Sequence, residues 1–290
     1  MRGGQRQVLL LMQALQKAGH ECALLARRNA PLWQAAAETG FETHAANLIN
    51  IWRYSIRSHL VHVHDAHAHT LASIASRSRF VASRRVAFAV GRSPLSQWKY
   101  ARARRYLAVS HFVAEQLIQG GIPNEWIDVI YDAIEPTDSS DEWNPLHPAV
   151  GLASSDPQKG QDLVVEAARM AGLKLVLSDA LSEDFRRASM FVYITRSEGL
   201  GSAALLAMSM GVPVIASRVG GLPEVIEDGV SGVLVENDSA EIASAMKRIV
   251  QDPGQARALI ENAKARVAVR FTPNHLLAAT LASYRRALVH

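Results

Sequence analysis

Apolar and polar positions along this chain switch between two periods from end to end. Short aliphatic or β-branched runs read as buried strands, and apolar residues at helical spacing read as amphipathic helices. The first half predicts helix Gln5–Ala18, strand Glu21–Ala26, helix Leu32–Thr39, strand Phe41–Ala45, a helix at Ile49–Arg57, strand Leu60–Val63 and helix His67–Ser78. It continues with strand Arg85–Ala89, helix Ser96–Arg102, strand Tyr106–Val109, helix Ser110–Gln119 and strand Ile127–Ile130. Val8, Leu11, Met12 and Leu15 form one stripe of the first helix. Ser110 has the chemistry of an N-cap, and Gly120-Gly-Ile-Pro123 stops the helix it opens.

The stretch from Glu135 to Pro145 is polar, proline-bounded and without periodicity, so the domain boundary is placed there. Alternation resumes with strand Ala149–Leu152, helix Gly160–Met170, strand Lys174–Leu177, helix Leu181–Arg187, strand Met190–Ile194 and a strand at Gly232–Val235, before three C-terminal helices. Repeated βα units imply parallel sheets covered by helices on both faces. The expected fold class is α/β: two Rossmann-like, doubly wound parallel-sheet domains facing each other across a cleft. Their expected spans are 1–140 and 141–272, followed by a helix at 273–290.

Residues Arg196 to Val219 carry the densest chemistry. A buried strand ends at Ile194, and Glu198-Gly-Leu-Gly201 turns the chain into a helix starting near Ser202. Glycines let backbone N–H groups approach a ligand, and the helix start adds unpaired donors and a positive dipole end. Gly211 and Pro213 end that helix, and Val214-Ile-Ala216 forms the next strand. Gly199-Leu-Gly201 lacks the third glycine of a dinucleotide fingerprint, so the unit reads as an anion site with one carboxylate at its mouth.

Composition narrows the setting. The chain has 290 residues, 49% of them hydrophobic and 20% charged, enough apolar content for a substantial core. Cys22 is alone, which excludes an internal disulfide and suits a reducing cytoplasm. No apolar run reaches the ~20 residues that cross a bilayer. The net charge is only +4, yet Ala66 to Ala114 contains no carboxylate against nine cations: Arg77, Arg79, Arg84, Arg85, Arg92, Lys99, Arg102, Arg104 and Arg105. Three readings of that Arg77–Arg105 region stay open: a solvated face, a peripheral contact with an anionic membrane, or attraction for a phosphorylated acceptor. No motif or aromatic stacking pattern points to nucleic acid. His62-Val-His64-Asp65-Ala-His67-Ala-His69 invites a zinc hydrolase reading, but Asp65 falls one residue early for a His-x-His-x-Asp-His site. The alternative places His62 in a strand and His67 and His69 on a helix start. Neither a nucleophile elbow nor a Gly-Lys-Ser/Thr phosphate loop is present.

Taken in order, these segments resemble the donor-binding region of family 4 glycosyltransferases with the GT-B fold: Arg196-Ser-Glu-Gly-Leu-Gly, Ala207-Met-Ser-Met-Gly-Val-Pro-Val-Ile-Ala-Ser and Gly220-Gly-Leu-Pro-Glu-Val-Ile-Glu-Asp-Gly. Gly3-Gly4 before the first helix, Lys17-Ala-Gly-His20, Val61-His-Val-His64-Asp65, Leu107-Ala-Val-Ser110 and Gly121-Ile-Pro follow the family's order in the other half. The resemblance implies retaining transfer of a sugar from a nucleoside-diphosphate sugar, a substrate and not a cofactor, to a hydroxyl of a glycan, lipid-linked or small-molecule acceptor. It implies that Glu198 meets sugar hydroxyls. Backbone N–H groups of Gly199, Leu200, Gly201 and Ser202 would face the diphosphate, and Lys159 would neutralise it as a point charge. It also implies that a Gly3-Gly4 loop closes over the donor and that His64 sits beside the reacting centre. No metal is implied.

Three departures from the family pattern bear on activity. Leu206 stands where the family has a second glutamate for the donor ribose, a loss of roughly 1–3 kcal/mol. Leu152 stands where an arginine usually follows the glycine of the first C-terminal-domain strand. The strand expected just before the Gly3-Gly4 segment is missing, and it should be central in its sheet; further βα structure is missing between Leu177 and Leu181. A binding or accessory protein that keeps the fold without activity is therefore a second reading, and a sugar epimerase a third.

Overall fold

The computed structural model describes residues 3–91, 93–135 and 142–289. They divide into two compact units, Met1–Ala133 with Pro273–His290, and Ile134–Thr272. The chain leaves the first unit once and returns to it with its last helix, which completes that unit instead of standing apart. Arg92 of the basic region and residues 136–141 of the expected linker lie outside the described residues.

The first unit runs α1 (Gly3–Lys17), β1 (Ala23–Ala26), α2 (Pro31–Glu38), β2 (Glu42–Ala45), α3 (Leu48–Arg57), β3 (Val61–Val63), α4 (Ala66–Ala75), β4 (Phe80–Arg84), α5 (Pro94–Ala101), β5 (Arg105–Ala108), α6 (His111–Gln119) and β6 (Ile127–Val129). The second runs β7 (Ala149–Leu152), α7 (Gln161–Ala171), β8 (Leu175–Ser178), α8 (Leu181–Asp184), β9 (Met190–Tyr193), α9 (Ser202–Ser209), β10 (Val214–Ser217), α10 (Leu222–Val225), β11 (Val233–Val235), α11 (Ser239–Gln251) and α12 (Pro253–Arg270), and α13 (Pro273–Val289) follows.

In the second unit the sheet order is β11-β10-β9-β7-β8, with every pairing parallel. The first strand sits inside the sheet and the order reverses beside it, which creates a switch point between the ends of β7 and β9. Met190, Val192, Ile194 and Ile215 meet Val164 and Ala167 of α7 and Ile242 and Met246 of α11 in one core cluster. The apolar and aromatic run of β9 is buried at all four positions, as a central parallel strand requires.

In the first unit, β3-β4-β5-β6 form one parallel sheet and β1-β2 a second. No pairing joins β1 or β2 to β3–β6 among the described residues. Helix α1 serves both sheets. Its predicted stripe divides: Val8 and Met12 pack with Leu24, Ala36 and Phe41, while Leu11 and Leu15 pack with Val81, Leu107, Ile130 and Leu276 of α13. Helix α13 is further tied by Ser283 and Arg286, each 2.7 Å from the Asp128 carboxylate, which also takes a bidentate grip from Arg105.

One strand differs from expectation. The chain pairs Phe80–Arg84 with β3 and β5, not Arg85–Ala89. Phe80, Val81 and Ala82 are buried between two neighbours, whereas Phe88 of the apolar run Val86–Val90 is 71% exposed. Ser83 and Arg84 made the true strand look polar, but both find partners: Ser83 Oγ lies 2.8 Å from His62 Nε2, and Arg84 donates to Tyr100 Oη at 2.7 Å. Ser110 caps α6 as expected, accepting the Val113 N–H at 3.1 Å.

Candidate functional site

At the C-terminal ends of the second unit's strands, two side chains and one backbone amide converge on one carboxylate. Tyr193, the last residue of β9, donates its hydroxyl to Glu198 Oε2. Lys159 Nζ lies 3.1 Å from the same oxygen and 5.7 Å from the Tyr193 ring centroid. Glu198 Oε1 accepts the Gly199 N–H at 3.0 Å. Burial, and secondarily the Glu198 charge, push the Tyr193 hydroxyl well above the ordinary tyrosine range, so it remains a donor.

Backbone packing fixes the turn that carries Glu198. Gly221 N–H donates to Glu198 O at 3.1 Å, and a Cβ at Gly220 would lie 2.0 Å from that oxygen. The Gly220-Gly221 segment is thus needed for close approach of two backbones. Gly201, with φ +109°, turns the chain into α9, and a Cβ there would meet Leu222 Cδ2 at 2.6 Å. Behind the turn, Thr195 N–H donates to Ser217 Oγ at 2.8 Å and Arg196 N–H to the Gln158 carbonyl at 2.8 Å. The Lys159 segment, the end of β9 and the end of β10 are therefore one hydrogen-bonded assembly. Neither the Leu200 nor the Gly201 N–H makes a hydrogen bond among the described residues, and both residues are buried at the head of α9. Buried amide donors at a helix start, one cation and one carboxylate make a site for an anion that also presents hydroxyl groups.

The first unit has its own polar cluster at its strand ends. His64 directly follows β3, and Arg85 directly follows β4. Arg85 Nε donates to Asp132 Oδ1 at 3.0 Å, and Arg85 Nη1 lies 3.3 Å from His64 Nδ1. His62 stacks on His64 with ring centroids 3.9 Å apart, held between Tyr284 Oη at 2.7 Å and Ser83 Oγ at 2.8 Å. Burial, then His62 and Arg85, holds His64 well below the ordinary histidine range, and burial with Arg85 takes His62 to about 3. Both rings are neutral at physiological pH.

Of the residues singled out by sequence, Lys159 joins Glu198, Gly199, Leu200, Gly201 and Ser202 in the second unit, and His64 lies in the first. Gly3 and Gly4 correct one expectation. They are not a loop but the first two residues of α1, with Gly4 close to Arg85. Glycines start a helix where the following Gln5–Leu15 stripe is amphipathic enough to propagate back to them. Leu206 lies half-buried on α9 and Leu152 at the end of β7. The histidine string divides: His62 meets Tyr284 of α13 with His64 packed on it, while His69 is buried against Phe80, Tyr100 and Tyr106, and only His67 of the helix-start pair is exposed. Among the described residues no group of three His, Cys, Asp or Glu side chains is arranged to hold a metal ion.

The basic region is also less uniform than its sequence. Arg79 reaches the Leu288 carbonyl, Arg84 reaches Tyr100, Arg85 reaches Asp132, and Arg105 reaches Asp128. Arg77, Arg102 and Arg104 stay at least partly exposed. Sequence reasoning missed Tyr193, Arg85 and Asp132 as site residues. The available signal was position: the one hydroxyl-bearing residue ends an otherwise apolar strand, and the other two follow the ends of β4 and β6, the strands on either side of β5.

Comparisons with known proteins follow this division. Residues 1–138 match the family described as Glycosyltransferase Family 4, and residues 149–252 match Glycosyl transferases group 1. The structure is similar to that of HepE from Anabaena solved with UDP, with TM-score 0.80 and 17% identity, covering 97% of this chain and 96% of that one. It is equally similar to a glycosyltransferase from Rickettsia africae, with TM-score 0.81 and 17% identity over 98% and 94% of the two chains. A curated relative, D-inositol 3-phosphate glycosyltransferase of Mycobacterium avium, is 37% identical over 143 residues, 48% of this chain and 33% of the relative. The protein of that name from Acidothermus cellulolyticus is 40% identical over 111 residues, 38% and 24% of the two chains. The matched stretch thus spans about a third or less of the length of these curated relatives.

The two Rossmann-like units and the solved structures they resemble give the chain the GT-B fold. Glycosyltransferase family models thus match both units, one model over each. No helix among the described residues is long and apolar enough to cross a membrane.

Proposed function

We propose that the chain is a glycosyltransferase that binds a nucleoside-diphosphate sugar at the Glu198 turn and transfers the sugar, with retention, to a hydroxyl acceptor. The observation that carries this reading is the Lys159–Glu198–Tyr193 cluster beside the free amides of Leu200 and Gly201. The amides and the head of α9 suit a diphosphate, while Glu198 suits sugar hydroxyls and Lys159 spans both. Catalysis on this reading rests on positioning and on stabilising leaving-group charge, with His64 as a neutral ring at the acceptor side. HepE was solved with UDP, and this supports uridine as the first donor base to test. The names of the curated relatives make an inositol phosphate the first acceptor to test.

The experiment is a thermal-shift screen against uridine, guanosine and adenosine diphosphates and their sugars, repeated on Glu198→Ala. Stabilisation by one nucleotide, stronger with its sugar attached and reduced for the sugar form in Glu198→Ala, supports the assignment. Silence across the panel supports the second reading, a family member that keeps the fold as a binding or accessory protein. Leu206 and Leu152 favour that alternative, because neither side chain accepts or donates a hydrogen bond to a nucleotide.

A further inference from the structure

Helix α3 carries a face that donor chemistry does not use. Leu48, Ile49, Trp52 and Ile56 fall within one arc of the helix about 100° wide. All four are exposed, Ile49 at 74% and Ile56 at 57%. Arg53 and Arg57, also exposed, continue around the helix from one edge of that arc. Ile51 and Ser55 anchor the helix from the other edge. An apolar stripe ordinarily faces the core, and here most of it faces solvent.

Helix α4 touches both α3 and α5, and α5 adds Leu95, 74% exposed, and Trp98, 44% exposed. Charge in this part of the chain is one-sided: between residues 43 and 114 the sequence holds eleven Lys or Arg and one carboxylate, Asp65, and although Arg79, Arg84, Arg85 and Arg105 turn inward, Arg53, Arg57, Arg77, Arg102 and Arg104 are exposed. Asp65 is occupied as the cap of α4, accepting the Ala68 N–H at 2.7 Å. Glu42 accepts from Tyr54, which lies off the apolar arc, and its charge also reaches Arg57.

We propose that α3 and α5 dock the first unit onto an anionic phospholipid surface. The tryptophans and aliphatic side chains would enter the headgroup–acyl boundary, where amphipathic rings are favoured, and Arg53 and Arg57 would meet lipid phosphates. A second copy of the chain fits the face poorly, because a two-fold contact would set Arg53 and Arg57 against themselves, and Glu42, the carboxylate whose charge reaches Arg57, is already bonded to Tyr54 and His44. The reading stands whether or not the donor assignment holds.

Co-sedimentation of the full chain with phosphatidylcholine vesicles, with and without phosphatidylglycerol, tests it. Binding should require phosphatidylglycerol, weaken with salt, and drop about tenfold or more in the double variant Arg53→Glu, Arg57→Glu. Trp52→Ser with Ile56→Ser should lower binding on the same vesicles by a similar factor, and Ile49→Ser, the mildest change, should lower it less. Far-UV circular dichroism and Tm confirm that each variant is folded. The proposal is overturned by no binding to phosphatidylglycerol vesicles, or by binding that the folded variants retain in full. It is also overturned if light scattering shows a dimer that Trp52→Ser abolishes, which would assign the face to a second copy.

Discussion

Lys159 Nζ and Glu198 Oε2, 39 positions apart in sequence, lie 3.1 Å apart across the ends of the central strands. With 26% and 18% of their side chains exposed, the two groups are neither freely solvated nor sealed from water. Each has given up part of its hydration, so removing one leaves the other poorly compensated. A diphosphate entering beside them would share the lysine, and sugar hydroxyls would share the carboxylate.

Substitution at Lys159 should therefore affect binding more than folding. Lys159→Met removes the cation and leaves Glu198 with Tyr193 and the Gly199 N–H. We expect uridine diphosphate affinity to fall by about tenfold, equivalent to ~1.4 kcal/mol, with stability lowered by about 1 kcal/mol. Titration calorimetry and denaturant unfolding measure the two separately. Unchanged affinity would remove Lys159 from the diphosphate site.

The close approach of two backbones makes Gly220 a sharper test of the turn. Gly220→Ala would put a Cβ 2.0 Å from the Glu198 carbonyl oxygen, at φ +58°. Gly229 has φ +72°, and a Cβ there would meet nothing within 4 Å beyond its chain neighbours, so Gly229→Ala meets backbone strain alone. We expect roughly 1–2 kcal/mol for Gly229→Ala, and for Gly220→Ala a clearly larger loss together with loss of nucleotide binding. Equal Tm shifts for the two variants would mean that the contact is not rigid.

How much of this was legible in the sequence depends on the scale of the pattern. Buried parallel strands such as Met190–Tyr193 announce themselves as unbroken apolar runs, and the Glu198 turn is written in closely spaced glycines. The strand Phe80–Arg84 was obscured because Ser83 and Arg84 are polar and find their partners, His62 and Tyr100, outside their own strand. The same limit hid Arg85 and Asp132, which are 47 positions apart and meet only through the sheet. The basic region misled in the opposite sense: composition counts charges, but only tertiary contacts decide that Arg79, Arg84, Arg85 and Arg105 turn inward.

Acid sensitivity should come from the buried histidines. His62 is lowered to about 3 and His69 to about 4, each chiefly by burial, and His64 is lowered well below 6.5 by burial, His62 and Arg85. In the unfolded chain each takes a proton near pH 6.5, so below that pH the unfolded state binds more protons. Their effect on stability is flat above about pH 6.5 and unfavourable below it, by up to about 1.4 kcal/mol per pH unit for each ring. Tm should therefore fall as pH drops from about 6.5 towards 4. His69→Phe, placed among Phe80, Tyr100 and Tyr106, should flatten that slope. A slope that His69→Phe leaves unchanged would locate the sensitivity elsewhere.

Arg85 also sets the tautomer of His64. A guanidinium only donates, so His64 Nδ1, 3.3 Å from Arg85 Nη1, is the acceptor and Nε2 carries the proton. Nitrogen-15 chemical shifts of the ring should show a neutral Nε2–H form near neutral pH. Arg85→Met should let the Nδ1–H form appear and raise the His64 pKa, since a neighbouring positive charge is lost. If the ring titrates near 6.5 with Arg85 in place, His64 is not held as the structure has it.

Leu206 provides a gain-of-function test of the donor reading. It stands half-buried on α9, eight residues after Glu198, at the position where the family pattern places a glutamate for the ribose. An isobutyl group leaves a ribose hydroxyl without a protein acceptor, and a carboxylate would supply one worth about 1–3 kcal/mol. Leu206→Glu should therefore raise uridine diphosphate affinity by roughly 5- to 150-fold. Adding a partly buried charge should at the same time lower the stability of the unliganded chain. The discriminating comparison is with Leu206→Gln, which offers a neutral acceptor of similar length and should recover part of the gain at less cost to Tm. An affinity that neither variant raises, in folded protein, would mean that the ribose does not lie over α9, and the nucleotide would have to be sought away from the Glu198 turn.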